Sequence, residues 1–346
     1  MNTLIISALA FLTASATASP VSSKHGLIVS QTAAKGHNVF RTVQEAVNAV
    51  PDHATSEQLI FVEAGIYFEQ VIIPKTKPFI TIVGAGGNSS VVQFDRSSNS
   101  DGSSVTPTTF QVNANDFTSF GMTYMNTNTE PFLGADGVRL AGPSPALYTA
   151  GERTGIYNSW ILGWQDTLLT QAGQAFYENT YIEGAVDYIW GQHGAAFFRN
   201  CTLNTLRSGG YIVAEGTAAQ PDAGNLDLDQ QLNSTFGGYV MESCTLTAPE
   251  GVTNWFLGRP WGTGATAFYV DSFIPDSVNP TYWHTMTAGA TPLYSTINCT
   301  GPGANSDSIN TDLSVVVSQQ QAEEFLTLDA WLPDSSSWIQ EPNRFN

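Results

Sequence analysis

Tyr157-Asn158-Ser159-Trp160-Ile161, Glu178-Asn179-Thr180-Tyr181-Ile182 and Arg199-Asn200-Cys201-Thr202-Leu203 are three copies of one pattern. Each has an Asn, then a small residue, then an apolar residue three places after the Asn. The Asn positions 158, 179 and 200 advance by 21 residues per step. A fourth copy, Glu242-Ser243-Cys244-Thr245-Leu246, follows 43 residues later, so the stretch between is either an extra coil or a long loop. A period of this length with a polar residue at a fixed phase predicts an all-β chain wound as a right-handed parallel β-helix, in which each coil stacks on the last. Leucine-rich repeats have a similar period, but their dense leucine spacing is absent.

The flanking sequence agrees. Leu59 to Val62, Val71 to Ile73, Phe79 to Val83 and Val91 to Phe94 are β-branched or aromatic runs bounded by turn residues. No strand–helix alternation of a doubly wound α/β fold is present. One helix is predicted at the N-terminal end as a cap: Thr42-Val43-Gln44-Glu45 is a capping box, and Pro51 ends the run. Gly84-Ala85-Gly86-Gly87 leads into Asn88, Ser89, Ser90 and another strand run, so it reads as a turn and not as a phosphate cradle.

Residues 1–18 read as a secretory signal: Leu4 to Ala16 is apolar, and Ala16-Thr17-Ala18 offers a small-x-small cleavage site. Residues 19–346 then form one domain in an extracellular protein. The sequons at Asn88, Asn200, Asn233 and Asn298 are glycosylation candidates in that setting. No later segment is long and apolar enough for a transmembrane helix. Of the 346 residues only 12% are charged, and 12 Lys and Arg stand against 30 Asp and Glu, a net charge of −18. Such a surface repels polyanions, which excludes nucleic acid and anionic membrane as natural partners. The 5 His and 3 Cys show no metal-ligand spacing, so neither a metal nor another cofactor is implied. Cys201 and Cys244 hold the same phase of the repeat; if their coils are neighbours, they lie within disulfide reach, and Cys299 is left over.

The repeat also predicts chemistry. Asp166 and Asp187 each lie eight residues after an Asn of the pattern, so two carboxyl groups stack one rung apart, about 4.8 Å between strands. Two acids so close cannot both ionise freely; one keeps its proton while the other remains a carboxylate. Such a pair supplies a general acid and a nucleophile or base. Inverting glycosidases hold their acids roughly 6.5–9.5 Å apart, wider than one rung. Gly142-Pro143-Ser144-Pro145-Ala146 lacks the last glycine of a serine-hydrolase elbow.

Gly163-Trp164-Gln165-Asp166-Thr167, Gly184-Ala185-Val186-Asp187-Tyr188-Ile189-Trp190-Gly191 and Leu257-Gly258-Arg259-Pro260-Trp261 together resemble the pectin methylesterase family, carbohydrate esterases built on a right-handed β-helix. Weaker likeness runs from Phe40-Arg41-Thr42-Val43-Gln44-Glu45-Ala46 to Cys299-Thr300-Gly301-Pro302-Gly303-Ala304, and Gly191-Gln192-His193 looks like the fungal variant. The resemblance implies methyl-ester hydrolysis on pectin by a monomer. It implies Asp187 as nucleophile, Asp166 as general acid and base, and Arg259 as the cation that orients Asp187. It also implies Gln165 as an oxyanion donor, with Trp190 and Trp261 lining the sugar groove. Pectate-lyase chemistry would want calcium and a basic abstracting residue, and neither is evident beside the two acids.

One departure stands out. The family carries a second Gln, opening a Gln-Ala-x-Ala-Leu stretch one coil before the Gln-Asp pair; here that stretch reads Pro143-Ser144-Pro145-Ala146-Leu147. Proline donates no hydrogen bond, and losing one oxyanion donor costs about 100-fold to 1000-fold in turnover. Ser144 or a backbone amide is the expected substitute. Otherwise the chain is a weak esterase, an esterase for another sugar ester, or a β-helix that only binds polysaccharide.

Overall fold

The computed structural model describes residues 26–34, 36–128, 142–221, 223–234 and 237–345. The leader assigned from sequence lies outside them. The chain is a right-handed parallel β-helix of three faces, with sheets of 11, 7 and 7 strands, every pair parallel. One coil takes a strand from each face in turn, as in Thr154–Tyr157, Trp160–Leu162 and Leu168–Thr170. The strands foreseen from sequence form within a residue or two of their expected ends.

Register is kept by ladders inside the tube. On the second face Tyr67, Val92, Tyr124, Ile161, Ile182, Leu203 and Leu246 stack one above another, all buried. On the third face Leu147, Leu168, Ile189 and Val213 do the same. A one-residue slip would turn each of these outward and bring its polar neighbour in. The helix Val43–Ala49 closes the N-terminal end with its capping box intact: the Glu45 N–H donates to the Thr42 hydroxyl at 3.1 Å.

The repeated Asn has two jobs. Asn158, Asn179 and Asn200 all sit at positive φ, 50°, 51° and 52°, at the corner between the first and second faces. Asn tolerates this left-handed region because its short polar side chain bonds locally. The Asn200 amide donates to the Asn179 oxygen at 2.6 Å, Asn179 to Asn158 at 3.2 Å, and Asn158 to the Pro342 carbonyl at 2.6 Å. The ladder therefore ends on the C-terminal segment, which crosses the first face. There Trp331, Leu332 and Trp338 cover an outward stripe that includes Phe120, Tyr157, Phe176 and Phe197, and Trp331 Nε1 donates to the Ala196 carbonyl at 3.1 Å.

The spacing between the third and fourth copies comes from a loop, not an extra coil: Thr202 pairs directly with Thr245. The additional residues follow the strand Tyr211–Glu215 and include the helix Leu228–Ser234. All four sequon asparagines are exposed. Asn200 and Asn298 also spend their amide nitrogens in corner ladders, the latter on Asp271.

The expected Cys201–Cys244 disulfide is not formed. The two residues do occupy adjacent rungs and their thiols touch, but all three cysteines are buried free thiols. In-register parallel strands hold side chains side by side at about the 4.8 Å strand spacing, wider than the roughly 3.8 Å between Cβ atoms that a disulfide wants. Each thiol instead donates to a carbonyl of the preceding coil, Cys201 to Tyr177 at 3.4 Å and Cys244 to Phe198 at 3.6 Å. Ser272 separates Cys299 from this pair in the same ladder.

The Asn corner makes a testable distinction. Asn179→Gly keeps the left-handed backbone and loses the ladder bonds; Asn179→Ala loses both. Urea unfolding should find the Ala variant less stable than the Gly variant by about 1 kcal/mol. Equal stabilities would show that backbone strain at this corner is unimportant.

Candidate active site

Asp166 and Asp187 occupy the same turn, between the second and third faces, on consecutive coils. The bridge Gln165–Val186 and the pair Leu168–Ile189 flank them, and the Asp166 N–H donates to the Val186 carbonyl at 3.0 Å. Both have positive φ, 61° and 50°. Both are 8% exposed.

Arg259 distinguishes them. It follows the strand Phe256–Gly258, two rungs beyond Asp187, because Ile189 pairs with Val213 and Val213 with Gly258. Its guanidinium crosses the intervening coil over the Tyr211 ring, 4.0 Å from the centroid, and grips both oxygens of Asp187 at 2.8 and 2.6 Å. A bidentate pair over an aromatic face is the strong form of this contact. Asp166 receives no such partner. Burial first, and then the charge of Asp187, hold its carboxyl well above the usual carboxylate range, against the opposing pull of Arg259 and a hydrogen bond from Gln165. The pair is therefore unequal: Asp187 is ion-paired with Arg259, and Asp166 is biased toward keeping its proton.

The two tryptophans complete the arrangement on the outside of the third face. Trp190 Nε1 donates to the Asp166 carbonyl at 2.9 Å, and its ring lies 5.7 Å from that of Trp261. With Leu169, Ala214 and Tyr148 they form a separate apolar patch beside the acids. Asp166, Asp187, Gln165, Arg259, Trp190 and Trp261 are thus all brought to one face of the helix.

The Pectinesterase family model matches residues 29–333. The chain belongs to the pectinesterase family. Pectinesterase 5 of Arabidopsis thaliana is 30% identical over 89% of this chain and 50% of its own length. A pectinesterase/pectinesterase inhibitor of Brassica campestris is 29% identical over 89% of this chain and 52% of its own. The chain thus spans about half the length of these curated relatives. Among solved structures, a pectin methylesterase from Aspergillus niger superposes with a TM-score of 0.77 at 26% identity, covering 92% of this chain and 98% of that one. The carrot pectin methylesterase shares the fold with a TM-score of 0.78 at 23% identity, covering 93% of this chain and 97% of its own.

Within this pectinesterase fold, Ser144 cannot stand in for the missing second Gln. It is fully buried, its hydroxyl donates to the Gly142 carbonyl at 2.6 Å, and its N–H donates to the Gln165 carbonyl at 3.0 Å. Both donors are spent inside the wall. Sequence reading also passed over Tyr211, which carries the Arg259 guanidinium, and Gly216. A Cβ at 216 would lie 2.4 Å from the Trp261 ring and 2.7 Å from Gln192 Cγ, so the indole rests on bare backbone. Tyr211 could have been found from its register with Asp187; Gly216 carries no motif.

The raised Asp166 carboxyl bears on stability. Below the ordinary value of 3.8 both folded and unfolded chains hold the Asp166 proton; above it only the folded chain does, until the raised value is passed. Stability therefore falls as pH rises through that window. Asp166→Asn removes this titration, so its melting temperature should depend less steeply on pH than that of the wild type. An unchanged slope in thermal melts would contradict the assigned protonation.

Proposed function

We propose that the chain hydrolyses methyl esters of galacturonate units in pectin, releasing methanol and leaving carboxylates. The single observation that carries this reading is the unequal acid pair: Asp187 gripped by Arg259 at 2.6 and 2.8 Å beside a buried Asp166 whose carboxyl is held well above the usual carboxylate range. A carboxylate of Asp187 attacks the ester carbonyl, and its C–O bond forms as the carbonyl π electrons move onto oxygen. Gln165 donates to that oxyanion. Collapse expels methoxide, which takes the Asp166 proton and leaves as methanol, giving an acyl-enzyme anhydride. Asp166, now a base, draws a proton from water, and the hydroxide adds to the galacturonyl carbon. Cleavage then returns Asp187 as a carboxylate and Asp166 as an acid.

Trp190 and Trp261 offer flat apolar faces on which pyranose rings stack. The apolar leader supports secretion, where a cell-wall polysaccharide is available, and side chains carry every step without a metal or organic cofactor. Ser144, with both donors engaged, favours one further detail: oxyanion stabilisation depends on Gln165, and turnover is modest for the family.

Methanol release from methylated pectin tests the reading. Asp187→Asn should lower it by at least about 1000-fold, and Gln165→Ala by about 100-fold to 1000-fold. Wild-type activity with no loss in Asp187→Asn would sink the mechanism. Since Asp166 must hold a proton, the rate should also decline on the alkaline side; a rate that climbs steadily to strongly alkaline pH would be the contrary result.

A further inference from the structure

We propose that Glu215 is a positioning residue: it fastens the loop that carries Trp261, just beyond Arg259, and so fixes the wall of the groove beside the acid pair. The inference rests on the reading of that groove as the substrate site. Glu215 ends the third-face strand Tyr211–Glu215 and is fully buried, with its side chain inside the tube. One carboxylate oxygen accepts the Thr217 N–H at 2.9 Å and the Thr217 hydroxyl at 2.5 Å; the other accepts the Thr266 N–H at 2.9 Å. The same residue's backbone carbonyl accepts the N–H groups of Trp261 at 3.0 Å and Gly262 at 2.9 Å.

These bonds tie three things together: the strand end, the Gly216 seat of the Trp261 ring, and the point where the loop re-enters the first face at Thr266. The loop is laced to the same segment elsewhere, from Arg259 N–H to the Val213 carbonyl at 2.9 Å and from Gly264 N–H to the Thr217 carbonyl at 3.0 Å. It lies so close that a Cβ on Gly262 would fall 2.1 Å from the Thr217 oxygen. A shift of the 215–217 segment is therefore passed directly to Trp261.

A carboxylate suits this place because both its oxygens only accept, and all the groups reaching it donate. Burial pushes the Glu215 carboxyl up to about 7, against the pull of hydrogen bonds from Thr217, Thr266 and Gly216. The tyrosines facing it, Tyr239 on Gly238–Glu242 and Tyr294 on Leu293–Ile297, have buried hydroxyls with no protein partner, and no cation pairs with it among the described residues. Keeping an acid in so costly a corner fits a need for its particular acceptor geometry. A glutamine would present one acceptor and one donor where only donors arrive.

The test compares wild type, Glu215→Gln and Thr217→Val as full chains, by methanol-release kinetics on methylated pectin and by near-ultraviolet circular dichroism of the tryptophans. Glu215→Gln should raise KM about 10-fold, the loss of a hydrogen bond to a charged group, with kcat little changed. The indole bands should weaken while far-ultraviolet spectra stay the same. Thr217→Val, which loses one donor, should shift both readouts the same way by less. Unchanged KM and indole bands in Glu215→Gln, or a fall in kcat at constant KM, would overturn the proposal. If Glu215→Gln does not fold, Thr217→Val decides by the same two readouts. If the wild type releases no methanol, the proposed function fails while the dichroism still reports on the loop.

Discussion

The bidentate pair between Arg259 and Asp187 closes only because three successive coils keep their register. Asp187 belongs to one, Tyr211 to the next and Arg259 to the third, and the pairs Ile189–Val213 and Tyr211–Phe256 set their phase. Arg259 reaches its partner across the Tyr211 ring. A slip of one residue in any of these strands would reverse the facing of its side chains and separate the pair. The ladder Leu168–Ile189–Val213 inside the tube opposes such a slip, since it would expose apolar side chains at roughly 1.5–3 kcal/mol each. Core packing and site geometry are in this sense one constraint seen from two sides of the same strands.

The electrostatics follow from that placement. In a chain of net charge −18, one of only 12 basic residues is committed to the acid pair. Its approach is asymmetric: both guanidinium bonds go to Asp187, while the Asp166 carboxyl takes a hydrogen bond from Gln165. Identical side chains on equivalent turns thereby acquire different surroundings, one ion-paired and the other pushed toward its protonated form. The repeat creates the pair, and the break in the repeat at Arg259 gives its members different partners.

Much of this was legible in the sequence because it is periodic or local. The Asn158–Asn179–Asn200 phase gave the coil, Thr42 to Glu45 gave the capping helix, and the phase of Asp166 and Asp187 brought the acids together. What was not legible depends on contacts between distant segments. The length of the stretch after Asn200 could not tell an inserted loop from a coil, since only the Thr202–Thr245 pairing decides it. Phase alone placed Cys201 beside Cys244 but could not say how their side chains are directed. Glu215 belongs to no motif; its importance arises from donors at Thr217 and Thr266 that converge only in the folded chain.

The substitution of Pro143 has a structural counterpart that bears on the proposed chemistry. The Pro143 carbonyl accepts the Ser98 N–H at 2.8 Å, and a Cβ on Gly142 would fall 2.5 Å from the Ser98 hydroxyl, so this corner is pinned tightly against the short helix Ser98–Asp101. A proline fixes φ there and offers no N–H that would need a partner. Under the proposed mechanism a second oxyanion donor is thus exchanged for a rigid wall, and its load passes to Gln165. In the resting site Gln165 is hydrogen-bonded to the Asp166 carboxyl. Under the proposed mechanism the two N–H donors of the same amide must serve both the Asp166 carboxyl and the forming oxyanion. Acid strength and oxyanion stabilisation are then coupled through one side chain, whereas two glutamines could divide the tasks.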